Sequence, residues 1–357
     1  MTSAALVFFV NAASFLAVII VVSMVSVPAR VLALPREHVR SATRAGARFV
    51  RNSPALLAIM VRAAAFGFFA SGVWALLPLV ARHMLGLGSG GYGLLLGAVG
   101  IGALVGATFS PAIRRALSPR ALMAACAAAI IACALVLAVS HVAVLDGALL
   151  VLSGMGWILA LGLLNASFQS TLPSWVKARG MAFYTVAFQG ATGTGALALG
   201  AVAQATSLSS GLVVLAGGRA VEAGATFGLP LPKPGEIDVT PADAMPLPVV
   251  PEGTVGQVFV TVRYEVAPGS EDAFLAHADR LKHFRQRTGA IEWRLFVDEA
   301  TPGRYLETFL VGSWEEHERQ HARVTQHDEQ LLEDIDKLLV PGSHREGHHY
   351  LTVPPRQ

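Results

Sequence analysis

Runs of roughly 20 mostly apolar residues recur up to residue 229, and that is the length one helix needs to cross a bilayer core of about 30 Å. Inside lipid a backbone must satisfy its own amides, which leaves helices and closed barrels as the spanning structures. Seven segments qualify as spanning helices: 4–27, 54–81, 92–112, 120–140, 142–168, 181–205 and 208–229. The last is interrupted by Arg219 and Glu222, three residues apart, a spacing that lets them pair on one helix face. Residues 1–27 carry no basic segment ahead of the apolar run, and arginines follow it, so this run reads as a retained span and not as a cleaved signal.

Charge sorts the connections. Between the first two runs, Arg30, Arg36, Arg40, Arg44, Arg48 and Arg51 stand against a single acid, Glu37. The next connection holds Arg82 and His83, then come Arg114, Arg115 and Arg120, then His141 and Asp146, then Lys177 and Arg179. Basic and charge-poor connections alternate, which the positive-inside rule assigns to the cytoplasmic and outer sides in turn. A multi-pass protein of the cell (inner) membrane follows, with its N-terminus outside and everything after residue 229 in the cytoplasm. Arg40, Arg44, Arg48 and Arg51 recur at helical steps, with Val39, Ala42, Gly46, Phe49 and Val50 on the other side. This is the pattern of a basic amphipathic helix lying on an anionic bilayer, and also of an ordinary solvated helical face.

Composition then changes along the chain. Residues 1–227 hold 14 Lys or Arg against three acids, whereas residues 255–357 hold 12 against 17, with eight of the 11 His. The net charge of +3 therefore averages a basic membrane part with an acidic soluble part. Membrane orientation accounts for the basic excess, and no nucleic-acid module accompanies it. A Gly-rich phosphate loop and a Ser-His-Asp arrangement are likewise absent from the sequence. Cys126 and Cys133 lie seven apart in one apolar run, roughly 10 Å along a helix axis, too far to pair.

Polar groups within the spans are few. Ser53 and Pro54 suit an N-cap and first helical turn, and Pro78 a kink or stop. Arg62 falls about 12 Å into the second span; an Arg at mid-bilayer costs at least ~2.5 kcal/mol, so it either snorkels back or lines a cavity. The candidate substrate pathway consists of Arg62, Arg82, Asn165, Gln169 and Gln189, although the three amides equally suit helix-to-helix hydrogen bonds. Glu222 is the intramembrane carboxylate of this reading. Gly93, Gly97, Gly102 and Gly106, and later Gly190, Gly193, Gly195 and Gly200, have the spacing that lets helix backbones approach, in a residue that is common in membrane helices anyway.

Seven prolines between Gly228 and Gly253 mark residues 230–254 as a semi-rigid extended linker. Beyond it, period-two alternation gives a strand at 258–266, a helix runs from a Ser270 cap to Arg287, and strands follow at 291–298 and 305–311. A helix at 314–323, a second one opened by a Thr325/Asp328 capping box and a short strand at 349–353 complete the order βαββαβ, the split βαβ or ferredoxin-like arrangement. Trp293, Trp314, His317 and His321 are its candidates for a pocket or dimer interface. His317 and His321 are four apart, so one helix face presents both, as a metal or haem site wants. They also share a stripe with Val324, which suits a half-buried or dimer-interface pair. His344, His348 and His349 read as an exposed mobile cluster.

The runs LPREHVRSATRAGARFVRNSPALLAIMVRAAAFGFFASGVWALLPLVAR, GYGLLLGAVGIGALVGATFSP and LPSWVKARGMAFY resemble the second half of major facilitator superfamily exporters of the enterobactin exporter-like, transmembrane secretion effector type. The tail, with Trp314, His317 and His321 in a Trp-x-x-His-x-x-x-His pattern, is similar to dimeric antibiotic-biosynthesis-monooxygenase-like domains. The resemblance implies an α-helical integral membrane bundle of about seven transmembrane helices, half of a major facilitator fold plus one helix, followed by a soluble α+β ferredoxin-like domain. Its parts are a remnant helix (1–29), a cytoplasmic basic amphipathic loop (30–53), a six-helix transporter half (54–229), the linker (230–254) and the cytoplasmic domain (255–357). Phe9-Val10-Asn11-Ala12-Ala13-Ser14-Phe15 matches the family's entry into its sixth helix, so the expectation is a chain truncated by five helices and needing an N-terminal half.

Three functions compete. An efflux transporter moves a small amphipathic molecule, siderophore or drug-like, by alternating access between two halves. A membrane-tethered monooxygenase-like enzyme would do its chemistry in the tail. A ligand-sensing tail would form a homodimer and pair two transporters. The first leads, with the lipid bilayer and a small-molecule substrate as partners and with no catalytic residue, metal or cofactor called for.

Overall fold

The computed structural model describes residues 4–25, 38–229, 231–243 and 256–353. Arg30, Arg36 and Glu37 of the basic island, and Pro230, Pro246, Pro248 and Pro251 of the linker, lie outside the described residues. The chain divides into two compact units, Met1–His38 and Val39–Gln357. The first contains α1 (Ala4–Met24), a helix of apolar side chains broken by Asn11, Ser14 and Ser23, whose hydroxyls turn back onto Asn11 O and Ile20 O at 2.7 Å.

The second unit opens with α2 (Val39–Arg51) and continues through α3 (Pro54–Leu79), α4 (Ser89–Ala116), α5 (Pro119–Leu137), α6 (Ala143–Ser170), α7 (Lys177–Ala205) and α8 (Leu208–Phe227). Among the described residues, five helices are long and apolar enough to cross a membrane: α3 with its extension to Met84, α4, α5, α6 and α7. That is fewer than the seven spans read from sequence. The first span read from sequence, 4–27, runs into residues outside those described, and α8 carries Arg219 and Glu222. Pro78 is the penultimate residue of α3, and after Leu79 the chain continues as a π turn, Val80–Met84, as expected where a proline removes an amide from the ladder. Ser53 occupies the N-cap position of α3 without capping it, because its hydroxyl donates to Phe49 O at 2.6 Å.

Pairings within the bundle repeat. α4 packs on α6 and α7 on α3; α5 packs on α6 and α8 on α3; α5 meets α8 and α3 meets α6. Exchanging α3 with α6, α4 with α7 and α5 with α8 returns the same set of pairings. The tightest approaches obey it too: a Cβ on Gly102 would fall 1.9 Å from Val151 O across α4 and α6, and one on Gly195 would fall 2.0 Å from Phe68 O across α7 and α3. Gly93, Gly97, Gly190, Gly193 and Gly200 instead meet nothing within 4 Å, so the other faces of α4 and α7 are open. Cys126 and Cys133 are buried and unpaired on α5.

Along α2, Ala42, Ala45, Gly46, Phe49 and Val50 are buried, while Arg40, Arg44 and Arg51 are exposed. The apolar face does not wait for lipid. Gly46 sits against Arg179 and Phe183, and Phe49 meets Trp175 edge-on at 5.4 Å. Val39, read as part of that face, is exposed.

The sheet comprises β1 (Val258–Glu265), β2 (Glu292–Val297), β3 (Arg304–Val311) and β4 (Glu346–Leu351), all antiparallel in the order β2-β3-β1-β4. The last strand starts three residues earlier than its sequence pattern suggests. Helices α9 (Glu271–Thr288), α10 (Trp314–Ala322) and α11 (Gln326–Asp336) accompany it. Val258, Val260, Val262 and Tyr264 point to the buried face. Thr325 and Asp328 form the expected capping box of α11, whereas Ser270 stands at the start of α9 without a capping bond.

Part of the linker is not a free spacer. His327 N donates to Asp238 O at 3.1 Å, Gln326 N to Thr240 O at 2.9 Å and Ala242 N to Val324 O at 3.0 Å, which straps residues 238–242 across the start of α11. Helix α2 contacts α9, and the Arg323 guanidinium lies 4.5 Å over the Trp175 ring, so the soluble part is seated on the end of the bundle that carries α2.

Candidate functional site

Two places gather chemistry. The first is inside the bundle. Arg62 on α3 is buried and donates to Thr226 O, and to Leu229 O at 3.1 Å. On α8, Arg219 and Glu222 form the ion pair that their spacing suggests, with side chains 1% and 3% exposed. Phe66 receives Arg219 on its ring face at 4.9 Å. A cavity of about 370 Å³ adjoins this cluster, walled by Met123, Ala127 and Ile131 of α5 and rimmed by Arg120. Three cations thus face one carboxylate in an otherwise apolar setting, and no residue of α4 or α7 lines the space.

The remaining pathway candidates are not brought together with Arg62. Arg82 is exposed in the π turn, twenty residues further on and so roughly 30 Å away along the helix. Asn165 is half-buried on α6, and Gln169 and Gln189 are exposed on α6 and α7. Asp146, read as part of a connection, is fully buried in the first turn of α6, so Glu222 is not alone as a buried carboxylate of the bundle.

The second place lies in the soluble part. α10 starts at a Ser313 cap and presents Trp314, His317 and His321 along one side. Across from them, β4 contributes His349. Residues alternate faces along a strand, so His349 pairs with Val260 on the buried face while His348 pairs with Thr261 on the other. The exposed three-histidine tail read from sequence is therefore split, and His349 joins the α10 pair. Ring centroids are 4.7 Å apart for His317 and His321 and 4.8 Å for His317 and His349, with Trp314 edge-on to His317 at 5.5 Å and to His349 at 5.9 Å. Burial, helped by the neighbouring His349, pushes His317 down to about 4, and burial with His317 beside it pushes His321 down to about 3. Burial and the neighbouring His348 lower His349 as well.

A cavity of about 560 Å³ opens beside these rings, with Phe309 and Leu332 on one side and Arg285, Ser343 and Arg345 on another. Arg285 is anchored by Glu307, from Nε at 2.9 Å and Nη2 at 3.2 Å. The same fully buried carboxylate accepts from Tyr264 Oη at 2.6 Å and from Trp293 Nε1 at 2.8 Å. Burial alone would lower Arg285, yet Glu307 and Tyr264 outweigh it and raise the guanidinium above its ordinary value. Trp293 thus supports the cavity through Glu307 and Arg285 without lining it.

The sequence profile of the transmembrane secretion effector family matches residues 1–356. No curated protein matches the chain, and no solved structure matches it.

Proposed function

We propose that this chain, which belongs to the transmembrane secretion effector family of major facilitator-type membrane transporters, exports a small amphipathic molecule, siderophore or drug-like, by alternating access. The observation that carries this reading is the repeated pairing of α3–α5 and α6–α8, the internal repeat on which rocking-type transporters are built. A second six-helix set packs against the open glycine faces of α4 and α7, and the substrate passes between the two sets. Gln189, next to Gly190 on that face, is its polar lining with Asn165 and Gln169, and Arg82 marks one end, while the buried Arg62 belongs to the separate cavity beside α5 and α8.

The soluble part is a ferredoxin-like domain on the cytoplasmic side of the inner membrane. Clustering of α2, Lys177, Arg179 and the domain at one end of the bundle supports that side, since basic connections stay in the cytoplasm. Its outer sheet face exposes Phe259, Phe296, Leu306 and Tyr350, an apolar surface suited to a second copy. The domain acts as a sensing and pairing module, not as an enzyme.

Everted membrane vesicles carrying the full chain, alone or with a co-expressed N-terminal half, test the function. Energised accumulation of a catecholate siderophore or a lipophilic dye supports it. No accumulation of either by a folded, membrane-inserted protein with its second half present rejects it.

A further inference from the structure

We propose that His317, His321 and His349 form a three-histidine site for a divalent transition-metal ion of the zinc, cobalt or nickel kind. One ring nitrogen from each residue is available, and these atoms all lie within 4.8 Å of one another. A tetrahedral ion with metal–nitrogen bonds of about 2.0–2.1 Å holds its nitrogens roughly 3.4 Å apart. Small side-chain rotations close that difference.

The hydrogen bonds around His317 decide which nitrogen is offered. Thr288 Oγ1 donates to Phe284 O at 2.9 Å and so can only accept from Gln320. Gln320 directs its amide nitrogen to Thr288 Oγ1 at 3.4 Å and to Arg285 O at 3.3 Å, which turns its carbonyl oxygen to His317. His317 Nδ1, 3.1 Å from that oxygen, must therefore be the donor. The remaining proton-free atom is Nε2, which has no hydrogen-bond partner in a residue that is 0% exposed. A metal-bound histidine is held in this manner, with its second nitrogen fixed by an outer oxygen. His321 Nδ1 is likewise buried without a partner.

Ligand chemistry selects the ion. Asp336, the carboxylate of the same cavity, is clamped by Arg345 at 2.7 and 3.0 Å, so the donor set is purely imidazole. Such a set suits zinc, nickel or cobalt and not magnesium or calcium, which require oxygen ligands. Three neutral ligands leave the full positive charge of the ion directed at the cavity of about 560 Å³. The fourth position thus takes water, hydroxide or an anionic group of a small ligand, as in open three-histidine sites.

Cobalt(II) titration of the full chain in detergent, after chelator treatment, tests the site. The expected result is one equivalent bound per chain, with the intense visible bands of a four-coordinate ion. His321→Ala and His349→Ala each weaken binding by at least about 100-fold. His349 stands on β4, at the sheet edge, so its variant keeps the fold and retains wild-type circular dichroism. His348→Ala, on the opposite face of the same strand, binds as the wild type. Absence of stoichiometric cobalt in the wild type overturns the proposal, as does wild-type affinity in folded His349→Ala, or loss of binding in His348→Ala.

Discussion

Arg48 of α2 reaches Glu316 of α10, Nη2 to Oε1 at 2.6 Å, across 268 positions of sequence. Glu316 also accepts from Arg323 at 2.8 Å, and Arg323 covers the Trp175 ring and donates to Thr288 O at 2.8 Å. The soluble domain is fastened to the bundle by this chain of three charges and one indole. Arg48→Ala removes one partly exposed bond and is expected to cost about 1 kcal/mol. Arg323→Ala removes a buried cation with two hydrogen bonds and a ring contact, for about 3 kcal/mol. Hydrogen exchange of the α2 and α9 amides in the full chain, faster in Arg323→Ala than in Arg48→Ala, is the check.

The glycines of α4 and α7 divide into two kinds with opposite expected behaviour. Gly102→Ala and Gly195→Ala force a Cβ into a backbone oxygen of α6 or α3, so the helix pair must separate. Overpacking of this kind costs about 1–3 kcal/mol or more, read as loss of the monodisperse peak in detergent. Gly97→Ala and Gly193→Ala meet nothing and leave that peak intact. If those faces hold a second six-helix set, bulkier Gly97→Leu and Gly193→Leu keep the fold and lose export.

How much was legible depends on range. Five of the spans are readable because hydropathy acts over twenty residues at a time, and the pair Arg219 and Glu222 because three residues make one helical step. The sheet strands followed from alternation, visible in Val258 to Tyr264. Trp314, His317 and His321 were readable as one helix face. His349 was not, since nothing local says that β4 returns beside α10. Alternation alone separates it from His348, since neighbouring strand residues face opposite sides. Arg48 and Glu316 were also beyond reach, because exposed charges fit many partners until the chain is folded. Asp146 reads both ways from sequence, as part of the connection and as part of the span 142–168, because a carboxylate beside a helix start belongs equally to the loop and the first turn.

His327 predicts an acid response where residues 238–242 cross α11. Burial lowers it and Arg287 and Arg280 add to that, against the opposing pull of Asp328 and Asp238. Its folded value lies below the unfolded value of 6.5, so its contribution to stability is fully present above pH 6.5 and is lost as the pH falls through the folded value. The Gln326 amide, bonded to Thr240 O, therefore has a lower protection factor at pH 5 than at pH 7.5 once its intrinsic pH dependence is divided out. His327→Gln removes that dependence, and the protection factors at the two pH values measure it.

The buried pair on α8 gives the sharpest test of whether charge in the bundle serves structure or transport. Glu222 is the one carboxylate among the residues lining its cavity, where it faces Arg62, Arg120 and Arg219. Glu222→Gln leaves the buried Arg219 uncompensated, and losing one partner of such a pair costs about 3–5 kcal/mol. Replacing both partners by apolar residues of similar size removes two desolvation penalties together, so Arg219→Met with Glu222→Leu is expected to fold about as well as the wild type. Thermal stability of the full chain in detergent should fall for the single variant and recover in the double one. Because the cavity lies between α5 and α8, and α4 and α7 take no part in it, the double variant should also retain export. Restored folding with lost export would instead assign the pair to the substrate path, and a double variant as unstable as the single one would show that Arg62 depends on Glu222 for its own compensation.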